Sequence, residues 1–415
     1  MLPAMATSRG PALLILSSAF LAAAANGISM VAFPWLVLQR TGNATDASVV
    51  AGAATLPLLF ATLLSGSAID FLGRRRVAIL ADALSALSLA AIPVLATTAG
   101  SDVLNTAVLS GLAALGAVLD PAGLAARRSM LPEAATRAGW TIDHANSLYE
   151  AVFNLGYLTG PGIGGVLIAA IGGVNTMWVT AAAFALSILT MAVLRLEGAD
   201  RPDPDSRPEG IVSGLSEGLR FVWNNRVLRT LGLIDLALIG LYLPMESVLF
   251  PKYFSDRNEP AQLGWVLMAL SVGGLVGALS WSVLSRVASK RTTVLIAVLT
   301  YGVAILVIAF LPPLPVILVL TAIIGLVYGP IGPIYNSVML TVTPEHLRGR
   351  VVGVMTSMAY ASGPVGFMLA GPLIDAFGLR VAFVALAVPI LIVALICPWL
   401  PGLRDLDARA PRMSP

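Results

Sequence analysis

The sequence predicts an all-α integral membrane fold of twelve transmembrane helices in two pseudo-symmetric six-helix bundles. Three observations carry that prediction. Apolar residues make up 57% of the 415 and charged residues 11%, against roughly 45–50% and about 25% in soluble domains. Twelve stretches are apolar over a length that crosses a bilayer, for which about 20 residues are needed. A polar break divides them six and six.

The first six spans are expected near 11–38, 47–70, 77–98, 103–126, 146–170 and 174–195. The second six are expected near 228–250, 261–285, 292–311, 315–340, 351–375 and 379–400. The first follows Arg9 and contains Ala22 to Ala25, which imitates a signal-peptide cleavage site. Its apolar run is as long as a true span and many spans follow, so it is read as retained. Of the 25 arginines and lysines, Arg40, Lys252, Arg257 and Arg380 fall on one side of this arrangement, and the other 21 fall on the side of the N-terminus. Cytoplasmic loops are the basic ones, so both termini are expected in the cytoplasm and the chain in the cytoplasmic (inner) membrane.

Between the sixth and seventh spans, Glu197 to Gly210 has the charge and proline content of a flexible connector. In the next segment Ile211, Leu215, Leu219 and Val222 recur at helical spacing beside polar residues, as in an amphipathic helix at the membrane interface. The domains are therefore read as 1–196, a linker at 197–226 and a second bundle with a short tail at 227–415.

Several function classes are excluded on composition. A net charge of +3 with dispersed arginines gives no nucleic-acid face. The single cysteine, Cys397, rules out an intramolecular disulfide and a cysteine metal cluster, and His144 and His346 fall in polar loops. The two lysines, Lys252 and Lys290, follow Pro251 and Ser289, so no Gly-Lys phosphate loop exists and an ATP-driven role would need a separate ATPase. There is no zinc motif and no Gly-x-Ser-x-Gly elbow. No metal, no cofactor, no enzymatic activity and a monomer are expected.

Two motifs stand out. Gly66 to Arg76 reads as a tight, glycine-permitted turn between spans two and three, with Asp70 at its start and Arg74, Arg75 and Arg76 beyond it. A carboxylate at a helix end meets the positive end of a neighbouring helix, while Arg74 reaches another acid, for which Asp120 in span four is the candidate. On this reading the turn is a latch that sets the balance of conformations; the other reading is a basic cluster that only fixes orientation. The second motif is repeated. Span five contains Tyr157-Leu158-Thr159-Gly160-Pro161 and span eleven contains Tyr360-Ala361-Ser362-Gly363-Pro364, each preceded by a Pro-Glu pair, Pro132-Glu133 and Pro344-Glu345. Such echoes mark transporters built from duplicated halves, with substrate held near the midplane. Gly156, Gly160, Gly164 and Gly165 share a helical face, and Pro161 bends the span. Close packing and a bend that controls closure both fit that pattern.

Ionisable residues inside spans are costly, and Asp82, Asp120, Glu150, Asp235 and Glu246 are the candidates. Local pairing with nearby arginines accounts for Asp82, Glu150 and Asp235. Glu246 follows Pro244, where the disrupted backbone lines a cavity. A carboxylate there exchanges one proton per cycle and meets a cationic substrate, so Glu246 is the first candidate for proton coupling and Asp235 the second. A structural pair between Glu246 and Lys252 is the alternative.

With these residues in view, the chain resembles the major facilitator superfamily. Gly66, Asp70, Gly73, Arg74 and Arg75 match the superfamily's motif A, with Phe71 in place of its usual arginine. Gly156, Gly160, Pro161, Gly164 and Gly165 resemble motif C, which is associated with export. No arginine is expected inside span four, so the antiporter motif B is absent. A resemblance to the Tap-type multidrug efflux pumps, linked to tetracycline and aminoglycoside export, runs over nearly the whole chain and rests on 31–40, 242–254 and 346–357. In that pattern an acid stands where this chain has Asn26, so no proton site is expected there. The resemblance implies a central cavity lined by Asn26, Phe33, Asn154, Tyr157, Tyr242, Tyr328, Asn336 and Tyr360, whose rings and amides suit bulky amphiphilic cations. It implies a secondary exporter of amphiphilic drugs, driven by the proton gradient through alternating access. Export of a native lipid, siderophore or metabolite is the alternative.

Overall fold

The computed structural model describes residues 8–196, 211–344 and 347–407, without side chains at 59, 60, 62–67, 70, 211–215, 340, 349, 360 and 407. The connector 197–210, Glu345 and His346 lie outside the described residues, as do the side chains of Asp70 and Tyr360 and the motif position Gly66. Regular structure among the described residues is helical throughout. Eleven of these helices are long and apolar enough to cross a membrane. The expected second span is also a helix, Ala44–Leu72.

The helices are α1 (Gly10–Thr41), α2 (Ala44–Leu72), α3 (Arg74–Thr98), α4 (Thr106–Ala117), α5 (Asp120–Ala138), α6 (Ile142–Ile171) and α7 (Gly173–Val193). Then follow α8 (Ile211–Asn224), α9 (Arg226–Pro244), a π turn (Met245–Leu249), α10 (Phe250–Ser255), α11 (Pro260–Leu284) and α12 (Lys290–Ile308). The chain closes with α13 (Leu314–Tyr328), α14 (Ile331–Val342), α15 (Arg348–Phe377) and α16 (Leu379–Ile396). Spans four and ten are each made of two consecutive helices, and α8 occupies the expected amphipathic segment. Span four differs from the expectation, because its helical stretch runs from Thr106 to Ala138 and not to 126.

Two compact units emerge: Met1–Gly42, Ala53–Pro208 and Asn258–Gly264 in one, and Asn43–Gly52, Glu209–Arg257 and Trp265–Pro415 in the other. In the first, α1 lies along α6, and α3 packs against α5 and α7. The α1–α6 contact is made by backbone. A methyl group on Gly160 would lie 2.6 Å from the Gly27 Cα, and one on Gly156 would lie 2.6 Å from the Phe20 carbonyl oxygen. Gly164 meets Ile28 on the same side, whereas Gly165 faces Pro260 and Gly264. Gly156, Gly160 and Gly164 are thus the surface on which α1 seats, and Gly165 lies off it, since apolar helices in lipid gain from close van der Waals approach.

The second unit repeats this pairing. Here α9 lies along α15, and α12 packs against α13 and α16. Gly240 on α9 faces Ser362 on α15, and Gly366 faces the Gly240 carbonyl and Pro244. The echo between spans five and eleven therefore has a shared physical basis: each is the helix against which the first span of its half packs. On α8, Gly218 sits against the backbone of Arg350, and Glu217 pairs with Arg350. At the other end of α15, Asp375 caps the start of α2. Its carboxylate accepts from the Ala44 N–H at 3.1 Å, the Thr45 N–H at 2.8 Å and the Thr45 hydroxyl at 2.6 Å. An anion there satisfies otherwise unpaired amides at the positive end of the helix.

Glycine sets the turns as well. Gly73, between α2 and α3, has φ 87°, and Gly172 and Gly378, at the corresponding α6–α7 and α15–α16 turns, have φ 81° and 83°. Residues with a Cβ rarely adopt this region.

The glycine packing is testable by size. Gly160→Leu is expected to lower the yield of folded protein and its melting midpoint in detergent. Gly111→Ala on α4, where a methyl meets nothing within 4 Å, is expected to be neutral or slightly stabilising. Equal melting of both variants with the wild type would show that α1 and α6 do not depend on close approach.

Candidate functional site

Ionisable side chains inside the spans form two separate groups, one in each unit. In the first unit, Arg127 on α5 is 4% exposed and pairs with Asp82 on α3, which is 2% exposed. The Arg127 Nε donates to Ser18 Oγ on α1 at 2.8 Å, and Ser187 Oγ on α7 donates to Asp82 Oδ2 at 2.6 Å. The two serine oxygens are 2.8 Å apart. A buried cation and anion thus meet each other and two hydroxyls drawn from four helices. This corrects two expectations. Asp82 pairs with Arg127 and not with the basic cluster near it in sequence, and an arginine does lie inside the fourth-span helix, because that helix continues past the end of the apolar run.

The turn after α2 also differs in its partner. Arg74 Nη2 lies 3.2 Å from Glu133 Oε2, and its Nη1 donates to the Ser129 carbonyl at 3.0 Å. Arg75 donates to the Leu194 carbonyl at 2.7 Å. Asp120, the expected partner of Arg74, instead accepts from Ser85 Oγ at 3.3 Å. The reason is distance along α5: Asp120 precedes Glu133 by about 20 Å of helical rise, beyond the reach of an arginine at the α2–α3 turn. Glu133 belongs to the Pro132-Glu133 pair that the sequence marks.

The second unit holds the acid–tyrosine cluster. Pro244 ends α9, and the next five residues form a π turn in which the Phe250 N–H donates to the Met245 carbonyl. Proline cannot supply the amide that a regular helix needs, and π turns widen the helix where functional side chains are often held. Glu246 lies in this turn, 7% exposed, and the Tyr242 side chain one turn earlier hydrogen-bonds it. The expected alternative, a Glu246–Lys252 pair, is not formed, since Lys252 meets Asp256 at 2.5 Å. Asp235 is likewise free of a local arginine. It accepts from the Tyr328 hydroxyl at 3.2 Å, while Arg229 donates to the Trp223 carbonyl.

Between the two acids stands Tyr301 on α12. Its ring centroid is 6.1 Å from that of Tyr242 and 6.2 Å from that of Tyr328. Glu246, Tyr242, Tyr301, Tyr328 and Asp235 are thus linked neighbour to neighbour. Among the described residues no guanidinium or ammonium group pairs with either acid.

The other expected residues are placed more loosely. Glu150 pairs with Arg128 at 2.8 Å on a half-exposed surface. Asn154 donates to the Glu150 carbonyl of its own helix. The Tyr157 ring stacks on Phe153, which stacks on Tyr149, and its hydroxyl lies 3.5 Å from Met30 Sδ. Asn26 and Phe33 are half-buried on α1, and Asn336 is exposed on α14. Sequence reasoning missed Tyr301, Arg127 and Asp375. Tyr301 is one tyrosine in an apolar span and carries no local signal. Arg127 was legible only if the helix had been extended by its alanines beyond the apolar run.

The family model of the Major Facilitator Superfamily matches residues 15–366 and 245–413. The multidrug efflux pump Tap of Mycolicibacterium fortuitum is 65% identical over 97% of this chain and 98% of its own length. Tap of Mycobacterium tuberculosis H37Rv is 61% identical over 97% and 96%. Among solved structures, the nucleoside transporter NupG superposes with a TM-score of 0.75 at 14% identity, covering 94% of this chain and 98% of its own. A D-xylose-proton symporter superposes at 0.71 and 9% identity, covering 95% and 98%.

Removing one member of the buried network leaves the other charge unpaired. Asp82→Ala is expected to destabilise the protein by about 3–5 kcal/mol, seen as a lower melting midpoint, and Asp82→Ala with Arg127→Leu to recover much of that loss. A single variant that melts like the wild type would show that the pair does not hold the unit together.

Proposed function

Since the chain belongs to the Major Facilitator Superfamily, we propose that it is a secondary exporter of amphiphilic drugs of the tetracycline and aminoglycoside class, driven by the proton gradient through Glu246. It works by alternating access, as a monomer in the cytoplasmic membrane, with both termini in the cytoplasm. The names of relatives at 61–65% identity support drug efflux. The observation that carries the coupling is that Glu246 lies on a π turn, buried, unpaired by any cation among the described residues, and held by Tyr242 of α9.

A lone carboxylate in an apolar span is stable in two ways, as the neutral acid with a proton or as the anion beside a bound cation. Proton and cationic drug then compete for one site, which is the exchange an antiporter requires. Uptake of a proton from outside displaces the drug, and release of the proton inside readies the site for the next one. Asp235 is the second acid of this scheme. Aromatic rings at Tyr242 and Tyr328, beside the two acids, supply apolar and cation–π contacts that tolerate varied substrates.

The turn after α2 serves as a conformational latch. Gly73 allows the tight reversal, Arg74 is held by Glu133 and the Ser129 carbonyl, and Arg75 by the Leu194 carbonyl. These contacts are partly exposed, so each contributes little to stability, about 0–1 kcal/mol. That scale suits contacts that break and re-form in each cycle.

The proposal is tested in proteoliposomes with an imposed pH gradient, using a fluorescent organic cation and radiolabelled tetracycline. Wild type is expected to move both only with the gradient, and Glu246→Gln to lose at least about tenfold of the gradient-driven rate, the loss of roughly 1.4 kcal/mol of transition-state stabilisation, while reaching the membrane at wild-type levels. Equal gradient-driven rates in the two proteins would overturn the role of Glu246.

A further inference from the structure

The hydroxyl of Tyr301 has no hydrogen-bond partner among the described residues, although the side chain is only 2% exposed. A buried phenol without a partner is disfavoured relative to phenylalanine, which fills the same space with no group to desolvate. This one lies between two tyrosines that are each committed to an acid, Tyr242 to Glu246 and Tyr328 to Asp235.

We propose that Tyr301 couples Glu246 and Asp235, its free hydroxyl being a single switchable donor that supports whichever of the two acids is ionised. The inference rests on the proton-coupled reading above. When Glu246 is the anion, Tyr242 donates to it, and a hydrogen bond from Tyr301 to the Tyr242 oxygen polarises and strengthens that contact. When Asp235 is the anion, Tyr328 donates to it and Tyr301 turns to the Tyr328 oxygen. Chains of hydrogen bonds reinforce one another in this way in a low-dielectric interior. Tyr301 has one hydroxyl proton to donate, so it supports one anion at a time. The two acids then share one negative charge and titrate as a pair. No bond to a heavy atom forms or breaks, and each tyrosine stays neutral. Tyr301 is a positioning residue, acting on the acids through its neighbours.

Among the described residues, no salt bridge engages either acid. The elements packed against α12 are α13, α14, α16 and the 3-10 turn Asp405–Asp407. By sequence they carry Tyr328, Tyr335, Arg380, Asp405 and Asp407, with Cys397 just beyond α16. The Tyr335 hydroxyl is taken by the Leu231 carbonyl at 3.1 Å. At the start of α12 itself, Lys290 donates to Ser337 and Arg291 to the Pro398 carbonyl. On α9, besides the two acids and Tyr242, Arg226 opens the helix and Arg229 is turned to Trp223.

The test is Tyr301→Phe, which keeps the ring and removes only the hydroxyl. A purely structural residue with an orphaned hydroxyl predicts a variant that melts at or above the wild-type midpoint and transports normally. The coupling role predicts the same melting behaviour with gradient-driven tetracycline transport reduced at least tenfold in turnover, and KM changed less than about twofold. It further predicts that Asp235→Asn moves the pH midpoint of transport in the wild type by more than in the Tyr301→Phe background. If Tyr301→Phe keeps the wild-type rate and pH profile while Glu246→Gln is inactive, the coupling role is overturned and the exporter reading stands. If Glu246→Gln is also active, both fall.

Discussion

A hydrocarbon interior offers no water to a charge, so each ionised side chain in the spans has to find its partner inside the protein. Arg127 and Asp82 meet this constraint together, with Ser18 and Ser187 completing the contact from two further helices. The contact positions α1, α3, α5 and α7 relative to one another, because a displacement of any of them strands a buried charge. Glu246 and Asp235 meet the same constraint differently. Their partners are neutral tyrosine hydroxyls, which hold a carboxyl in place without fixing its charge. That contrast separates a buried ion pair from acids that have no cationic partner among the described residues.

The remaining packing follows from the absence of a hydrophobic driving force between helices in lipid. Backbone approaches backbone where small residues permit it, and glycine permits the closest approach. Gly27 against Gly160 in the first unit and Gly240 against Gly366 in the second are two instances of one solution at the same helix pair. The turns at Gly172 and Gly378 repeat it at the level of the backbone. Duplication is therefore visible in geometry at places where the sequences of the halves share little beyond a Tyr-x-x-Gly-Pro.

Much of the fold was legible because hydropathy and length report directly on what a bilayer accepts. The spans near 174–195 and 379–400 correspond closely to Gly173–Val193 and Leu379–Trp399. The end of span four was not legible by that route. An apolar run stops where lipid contact stops, whereas the helix continues as long as its backbone is paired, and α5 carries Arg127 into the protein beyond that point. The same gap explains Asp120 and Glu133: the arginine at the turn was expected to reach an acid within the span, and it meets one a further thirteen residues along. Glu246 was readable as a lone acid after a proline. Tyr301 was not, since its role depends on two rings from other helices.

By itself, the sequence determined that this chain is a polytopic membrane protein of duplicated halves in the Major Facilitator Superfamily, because composition, span length and glycine–proline motifs are local properties that solvent and backbone sterics read directly. Only the tertiary structure decided which charges are neutralised and which remain available. Arg127 reaches Asp82 across 45 residues, and Tyr328 reaches Asp235 across 93. Partners so far apart are chosen by how helices pack, and no spacing in the chain encodes that choice.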